Sequence, residues 1–79
     1  MRILFFAQLK DATKCDSVEI TVSSLLNVEQ LWEALIEKFP ALAKHRASVR
    51  FAKNSEYTDA NANFLNSDEV ALIPPVSGG

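Results

Sequence analysis

The stretch NVEQLWEALIEKFP, residues 27–40, has a periodicity that only a helix explains. Val28, Leu31, Trp32, Leu35, Ile36 and Phe39 fall on one apolar stripe at helical spacing. Asn27 is placed to cap the first turn, with Gln30 three residues on to complete a capping box. Glu29 sits at the positive end of the helix dipole and Lys38 in the last turn. Pro40 stops the helix. Trp32 and Phe39 lie on the stripe and read as core residues.

The flanks of this helix read as strands. Before it, SVEITV at 17–22 alternates, with Val18, Ile20 and Val22 on one side. RILFFAQ at 2–8 carries large apolar residues on both faces: Ile3, Phe5 and Ala7 on one, Leu4, Phe6 and Gln8 on the other. The polar link KDATKCD, residues 10–16, reads as the turn of a hairpin. After the helix, 41–47 reads as a loop or a short extra turn. SVRFAK at 48–53 reads as a strand with Val49 and Phe51 inward and Arg50 outward, and Glu56-Tyr57-Thr58 as a short further strand after Asn54-Ser55. Residues 59–63 read as irregular, with Phe64 and Leu65 pinning that loop to the core. EVALI at 69–73 is the last strand, ended by Pro74-Pro75.

The order β-β-α-β-(β)-β is one of strands followed by a single helix that must cover one face of a mixed sheet. The connection from the first hairpin through the helix is expected to cross right-handed. The fold class is therefore α+β, a β-grasp (ubiquitin-like) sheet of four to five strands on one main helix. The expected organisation is a folded domain over 1–73 and an extended tail over 74–79.

Composition narrows the function. The 79 residues carry a net charge of −2, with basic residues scattered apart from Lys44-His45-Arg46. That is no footprint for nucleic acid. One cysteine, Cys15, cannot form an internal disulfide, which favours a reducing, cytoplasmic setting. The apolar run at 3–7 is too short to span a membrane and makes a poor signal peptide. His45 reads as a solvated surface histidine and Cys15 as an incidental thiol. Glu29, Glu33 and Glu37 form a solvated helix face. No phosphate loop or metal-ligand spacing is present, so no active site is expected in the chain alone.

Two features remain. If Ile3, Phe5, Val70 and Leu72 face the helix, then Leu4, Phe6, Ala71 and Ile73 face outward. In a β-grasp sheet the first and last strands pair in parallel, which brings Phe6 near Ile73, with Tyr57 at the margin. Such a patch, rimmed by Arg50 and Lys10, suggests a partner surface. The second feature is the end, IPPVSGG, residues 73–79. Gly78 and Gly79 are the only glycines in the chain. The six residues from Pro74 can reach about 18–20 Å. Pro74-Pro75 stiffens the root, and Val76 and Ser77 offer one apolar contact and one hydrogen bond. Gly78-Gly79 can thread a tunnel too narrow for a Cβ and present a bare carboxylate.

LFFAQLKD at 4–11, AKNSEY at 52–57 and DEVALIPPVSGG at 68–79 resemble the MoaD family, the small sulfur-carrier subunits of molybdopterin synthase. The resemblance implies that the Gly79 carboxylate is adenylated by a ubiquitin-activating-like (MoeB-like) enzyme that consumes ATP, and is then thiocarboxylated. It implies docking on the large (MoaE-like) subunit within a heterotetramer, with the tail entering that subunit's active site. There Gly79 sulfur passes to cyclic pyranopterin monophosphate in molybdenum cofactor biosynthesis, two sulfurs per product. By matching position, Phe6, Tyr57 and Ile73 form the docking surface; the tail residues Pro74, Pro75, Val76 and Ser77 are expected, from their own chemistry, to contact the partner too. No cofactor or metal is expected on the chain itself, and neither nucleic acid nor membrane as partner. The family commonly has Gly before its Asp-Glu pair; here Ser67 stands there. A positive-φ turn must then fall on Asn66 or be avoided. The alternatives are a carrier for another product such as thiamine, a ubiquitin-like protein modifier, and a plain interaction module.

Overall fold

Helix α2 runs from Val28 to Lys38 in the computed structural model, which describes residues 1–74. The Asn27 side chain accepts from the Gln30 N–H at 2.8 Å, and the Gln30 side chain accepts from the Asn27 N–H at 3.0 Å. The reciprocal box satisfies amides that the first turn leaves without helical partners. Leu31, Trp32 and Leu35 are buried, with Val28, Ile36 and Phe39 half-buried at the margins of the stripe. Pro40 ends the α-helix and opens a 3₁₀ segment, Pro40–His45, whose Leu42 is fully buried.

The helix covers one face of a five-stranded sheet of order β2-β1-β7-β4-β5. These strands are β1 (Arg2–Phe5), β2 (Ser17–Glu19), β4 (Arg50–Lys53), β5 (Glu56–Tyr57) and β7 (Glu69–Ile73). β1 pairs with β7 in parallel, from Arg2↔Glu69 to Phe5↔Leu72. All other pairs in the sheet are antiparallel. Ile3, Phe5, Val70 and Leu72 point into the core and are almost wholly buried. Phe51 stacks against Trp32 with centroids 4.8 Å apart and meets Phe64 edge-on at 5.5 Å. Aromatic pairs of this kind add about 0.5–1.5 kcal/mol to their area burial.

Several elements differ from the sequence reading. β1 ends at Phe5 and β2 at Glu19, both earlier than the alternation implies. The link between them is no simple turn: Gln8–Thr13 forms a short helix, α1. Leu9 and Thr13, one helical turn apart, are both buried, and the Thr13 hydroxyl donates to the Leu9 carbonyl at 2.9 Å. A single leucine among polar residues was too little to show this from sequence. Leu26–Asn27 (β3) pairs with Asn63–Phe64 (β6) in a separate two-stranded ribbon that sequence did not foresee. Phe64 is fully buried, but Leu65 is 53% exposed and does not pin the loop.

Among the described residues, which include no glycine, Ala7, Lys14, Asn54 and Ser55 have positive φ. Lys14 caps α1 in the left-handed region. Ala7 has φ 51° and ψ −131°, where a Cβ is strongly disfavoured. Asn54 tolerates the conformation and uses it. Its backbone N–H donates to the Glu69 carbonyl at 2.8 Å, and its side-chain oxygen accepts from the Glu69 N–H at 3.0 Å. Its side-chain amide donates to Asp68 Oδ1 at 3.1 Å. Asp68 Oδ2 accepts from the Leu65 N–H at 2.7 Å, and the Asp68 N–H donates to the Leu65 carbonyl at 3.0 Å. The turn beside Ser67 is thus closed by Asp68, and no positive φ is needed at Asn66.

Two outcomes follow from this backbone. Ala7→Gly relieves a disfavoured conformation and raises unfolding stability by about 1 kcal/mol, or several degrees in thermal melting; an unchanged or lower melting temperature contradicts the geometry. The Leu65 N–H holds the Asp68 carboxyl below its ordinary pKa; burial opposes it, and the Asn54 amide with the Lys53 and N-terminal charges add to the lowering. A lowered folded-state pKa contributes stability at neutral pH that is lost as pH falls through the folded value. Asp68→Asn is therefore less stable than the parent at pH 7, with a gap that closes below about pH 4. Urea melts across that range read the effect, and a gap independent of pH contradicts it.

Candidate functional site

The outer sheet face has large side chains around two small ones. Ala52 on β4 and Ala71 on β7 are cross-strand partners near its centre. Leu4, Phe6, Tyr57 and Ile73 stand around them, and Ser55 and Glu69 close one end. Two alanines where neighbours are large leave a hollow of about 290 Å³. Phe6 is 42% exposed and Tyr57 64%. The sequence alternation anticipated Leu4, Phe6, Ala71 and Ile73 on this face, and the structure brings them together with Tyr57. Ala52 was missed, although it shares the outward parity of Arg50.

β5 positions Tyr57 directly across from Ala52. The Asn54–Asp68–Glu69 hydrogen bonds tie the β4–β5 turn to the start of β7 and so fix the rim on which Ser55 and Tyr57 sit. Phe6 lies just beyond β1, in the turn where Leu9 and Lys10 N–H groups bond back to Phe6 and Ala7 carbonyls. Arg50 is exposed, lies opposite Ile73 in the β4–β7 register, and has its guanidinium carbon 5.3 Å from the Tyr57 ring centre. Lys10 was expected on the same rim; it is paired with Asp16 at 3.6 Å on α1 and does not line the hollow.

Ile73 ends β7, and Pro74 leaves the sheet half-buried. The calls on Pro75, Val76, Ser77, Gly78 and Gly79 lie outside the described residues. The tail is therefore rooted at one end of the outer face, beside Ile73.

A wider trough of about 650 Å³ lies on another flank, between the start of α2 and the 3₁₀ segment. It is spanned by the exposed Arg46–Glu29 ion pair at 3.3 Å and is lined by neither the outer-face residues nor the tail root. The smaller hollow is the better candidate, because apolar rim, cation and tail root converge there. His45 is half-buried in the 3₁₀ segment rather than freely solvated, and Cys15 is a half-buried free thiol. Among the described residues no three His, Cys, Asp or Glu side chains form a metal-holding group, and no helix is long and apolar enough to cross a membrane. The arrangement can bind a complementary apolar surface beside the point where Pro74 leaves the sheet.

The ThiS family profile matches residues 3–79. The molybdopterin synthase sulfur carrier subunit of Arabidopsis thaliana is 34% identical over 79 residues, covering all of this chain and 82% of that protein. The human protein of that name is 34% identical over 82 residues, covering all of this chain and 93% of its own length. Among solved structures, SAMP1 from Haloferax volcanii superposes with a TM-score of 0.84 at 28% identity, over 100% of this chain and 98% of that one. The Helicobacter pylori complex of subunits 1 and 2 of molybdopterin-converting factor contains a chain with a TM-score of 0.67 at 23% identity, over 99% of this chain and 96% of that one, a likeness of fold. The chain therefore belongs to the ThiS family, among the MoaD-type sulfur-carrier subunits that its sequence resembles.

Proposed function

We propose that this protein is the sulfur-carrier subunit of molybdopterin synthase. The observation that carries the reading is the apolar hollow at the root of a Pro-Pro…Gly-Gly tail, in a chain whose full-length relatives bear that name. A carboxylate is a poor electrophile. A MoeB-like enzyme joins the Gly79 carboxylate to AMP, with pyrophosphate leaving ATP. Sulfide-level sulfur (hydrosulfide) from a donor then attacks the acyl carbon, the bond to AMP breaks and AMP leaves, and a thiocarboxylate remains with no change of oxidation state. The chain binds no cofactor for this; the ATP is the activating enzyme's. Phe6, Tyr57 and Ile73 dock on the MoaE-like large subunit, Pro74 and Pro75 aim the tail, and Val76 and Ser77 seat it. Gly78 and Gly79 enter the large subunit's site, where sulfur passes to cyclic pyranopterin monophosphate.

A second reading is a ubiquitin-like modifier whose Gly79 forms isopeptide bonds with lysines. The close structural likeness to SAMP1, a protein also named small archaeal modifier protein 1, favours keeping it.

Intact mass after incubation with ATP, the cognate activating enzyme and a sulfur donor separates the two. The carrier gains the mass difference of sulfur for oxygen at its end, whereas lysine conjugates alone defeat the carrier reading. Deleting Gly79 abolishes activation and leaves the melting temperature unchanged; a large drop in melting temperature makes the tail structural. Phe6→Ala weakens docking on the large subunit about tenfold or more, as loss of a central aromatic anchor does. Unaltered affinity removes the outer face from the account.

A further inference from the structure

We infer that Arg50 is a recognition residue, which receives a carboxylate on the partner's docking segment beside the root of the tail. This rests on the docking role proposed above and names the chemistry of its partner. Arg50 projects from the outer side of β4, opposite Ile73, where the tail departs. Among the described residues the ion pairs are Lys10–Asp16 and Arg46–Glu29, so Arg50 has no acidic partner. Asp59 lines a flanking trough with Arg50 but stands beyond ion-pair distance.

The rest of the sheet is balanced differently. At the far end Arg2 is the cross-strand neighbour of both Glu19 and Glu69, so opposite charges alternate there. At the tail end Arg50 is the single charge in the sheet register beside an apolar hollow. A guanidinium over a ring face keeps its in-plane N–H groups available, and those groups match a carboxylate with two parallel hydrogen bonds. The Tyr57 contact holds the side chain in place before binding, so less freedom is lost when the pair forms. Closing an apolar partner over Phe6, Tyr57 and Ile73 excludes water around the pair. It also penalises a partner with a basic or apolar residue at that spot. The occupant is therefore a segment with an apolar knob for the Ala52–Ala71 hollow and an acidic residue for Arg50.

The test measures binding of the full-length chain to the cognate large subunit by calorimetry, at low and at moderate salt. R50M keeps the aliphatic stem and removes the charge; R50E reverses it. R50M is expected to bind about tenfold more weakly, R50E more weakly still, both with a shallower salt dependence than the parent. F6A serves as the control for the face itself, with affinity lost and the salt dependence kept. R50M and R50E binding within about twofold of the parent, with F6A impaired, overturns the role of Arg50 and spares the docking face. F6A binding like the parent overturns the docking face and this inference together. Self-association of the free chain that R50M abolishes assigns the spot to a second copy and overturns the assignment. Because R50M is an exposed, stem-preserving change, it decides the matter even if R50E fails to fold.

Discussion

The parallel pairing of β1 with β7 is the constraint on which the rest of the molecule depends. It joins the first and last strands of the chain at the middle of the sheet. Its inward side supplies Ile3, Phe5, Val70 and Leu72, around which α2 and the 3₁₀ segment close. Its outward side supplies Leu4, Ala71 and Ile73. Because β7 is the last strand among the described residues and runs parallel to β1, the backbone leaves the sheet after Ile73, beside Phe6. The same register thus builds the core, the outer hollow and the starting point of the tail. A one-residue slip would exchange the two faces and lose all three at once.

The hollow is a product of residue size as much as of topology. Ala52 and Ala71 are small where Leu4, Phe6, Tyr57 and Ile73 are large, so the face is concave at its middle. The rim is held by polar bonds rather than by glycine turns. Asn54 accepts a positive φ and binds Glu69 and Asp68, and Asp68 closes the turn before β7. This is how the body of the chain does without glycine. The two glycines of the sequence, Gly78 and Gly79, fall in the stretch to which the proposed carrier role assigns conformational freedom.

Much of this was legible because it rests on local rules. The capping box at Asn27 and Gln30, the stripe from Val28 to Phe39 and the stop at Pro40 each follow from side chains within a few residues. The alternation in RILFF and EVALI placed the two central strands and their outward residues. What stayed hidden depends on contacts distant in sequence. Helix α1 exists because Leu9 finds the core, and the β3–β6 ribbon because residues 26–27 meet 63–64. Leu65 is exposed where its apolar character suggested burial, since its neighbour Phe64 takes the inward position. Of the site, the outer residues were readable by parity; the concavity at Ala52 and the stacking of Arg50 on Tyr57 required the register between strands.

The central claim is that this face docks a partner and that the tail then delivers sulfur from Gly79. The most direct measurement starts with the full-length chain already carrying a Gly79 thiocarboxylate. It is mixed with the cognate large subunit and cyclic pyranopterin monophosphate, and both product and carrier are followed by mass. The account predicts molybdopterin formation with the carrier end returned from thiocarboxylate to carboxylate. A thiocarboxylate that persists unchanged, with no dithiolene formed, contradicts it.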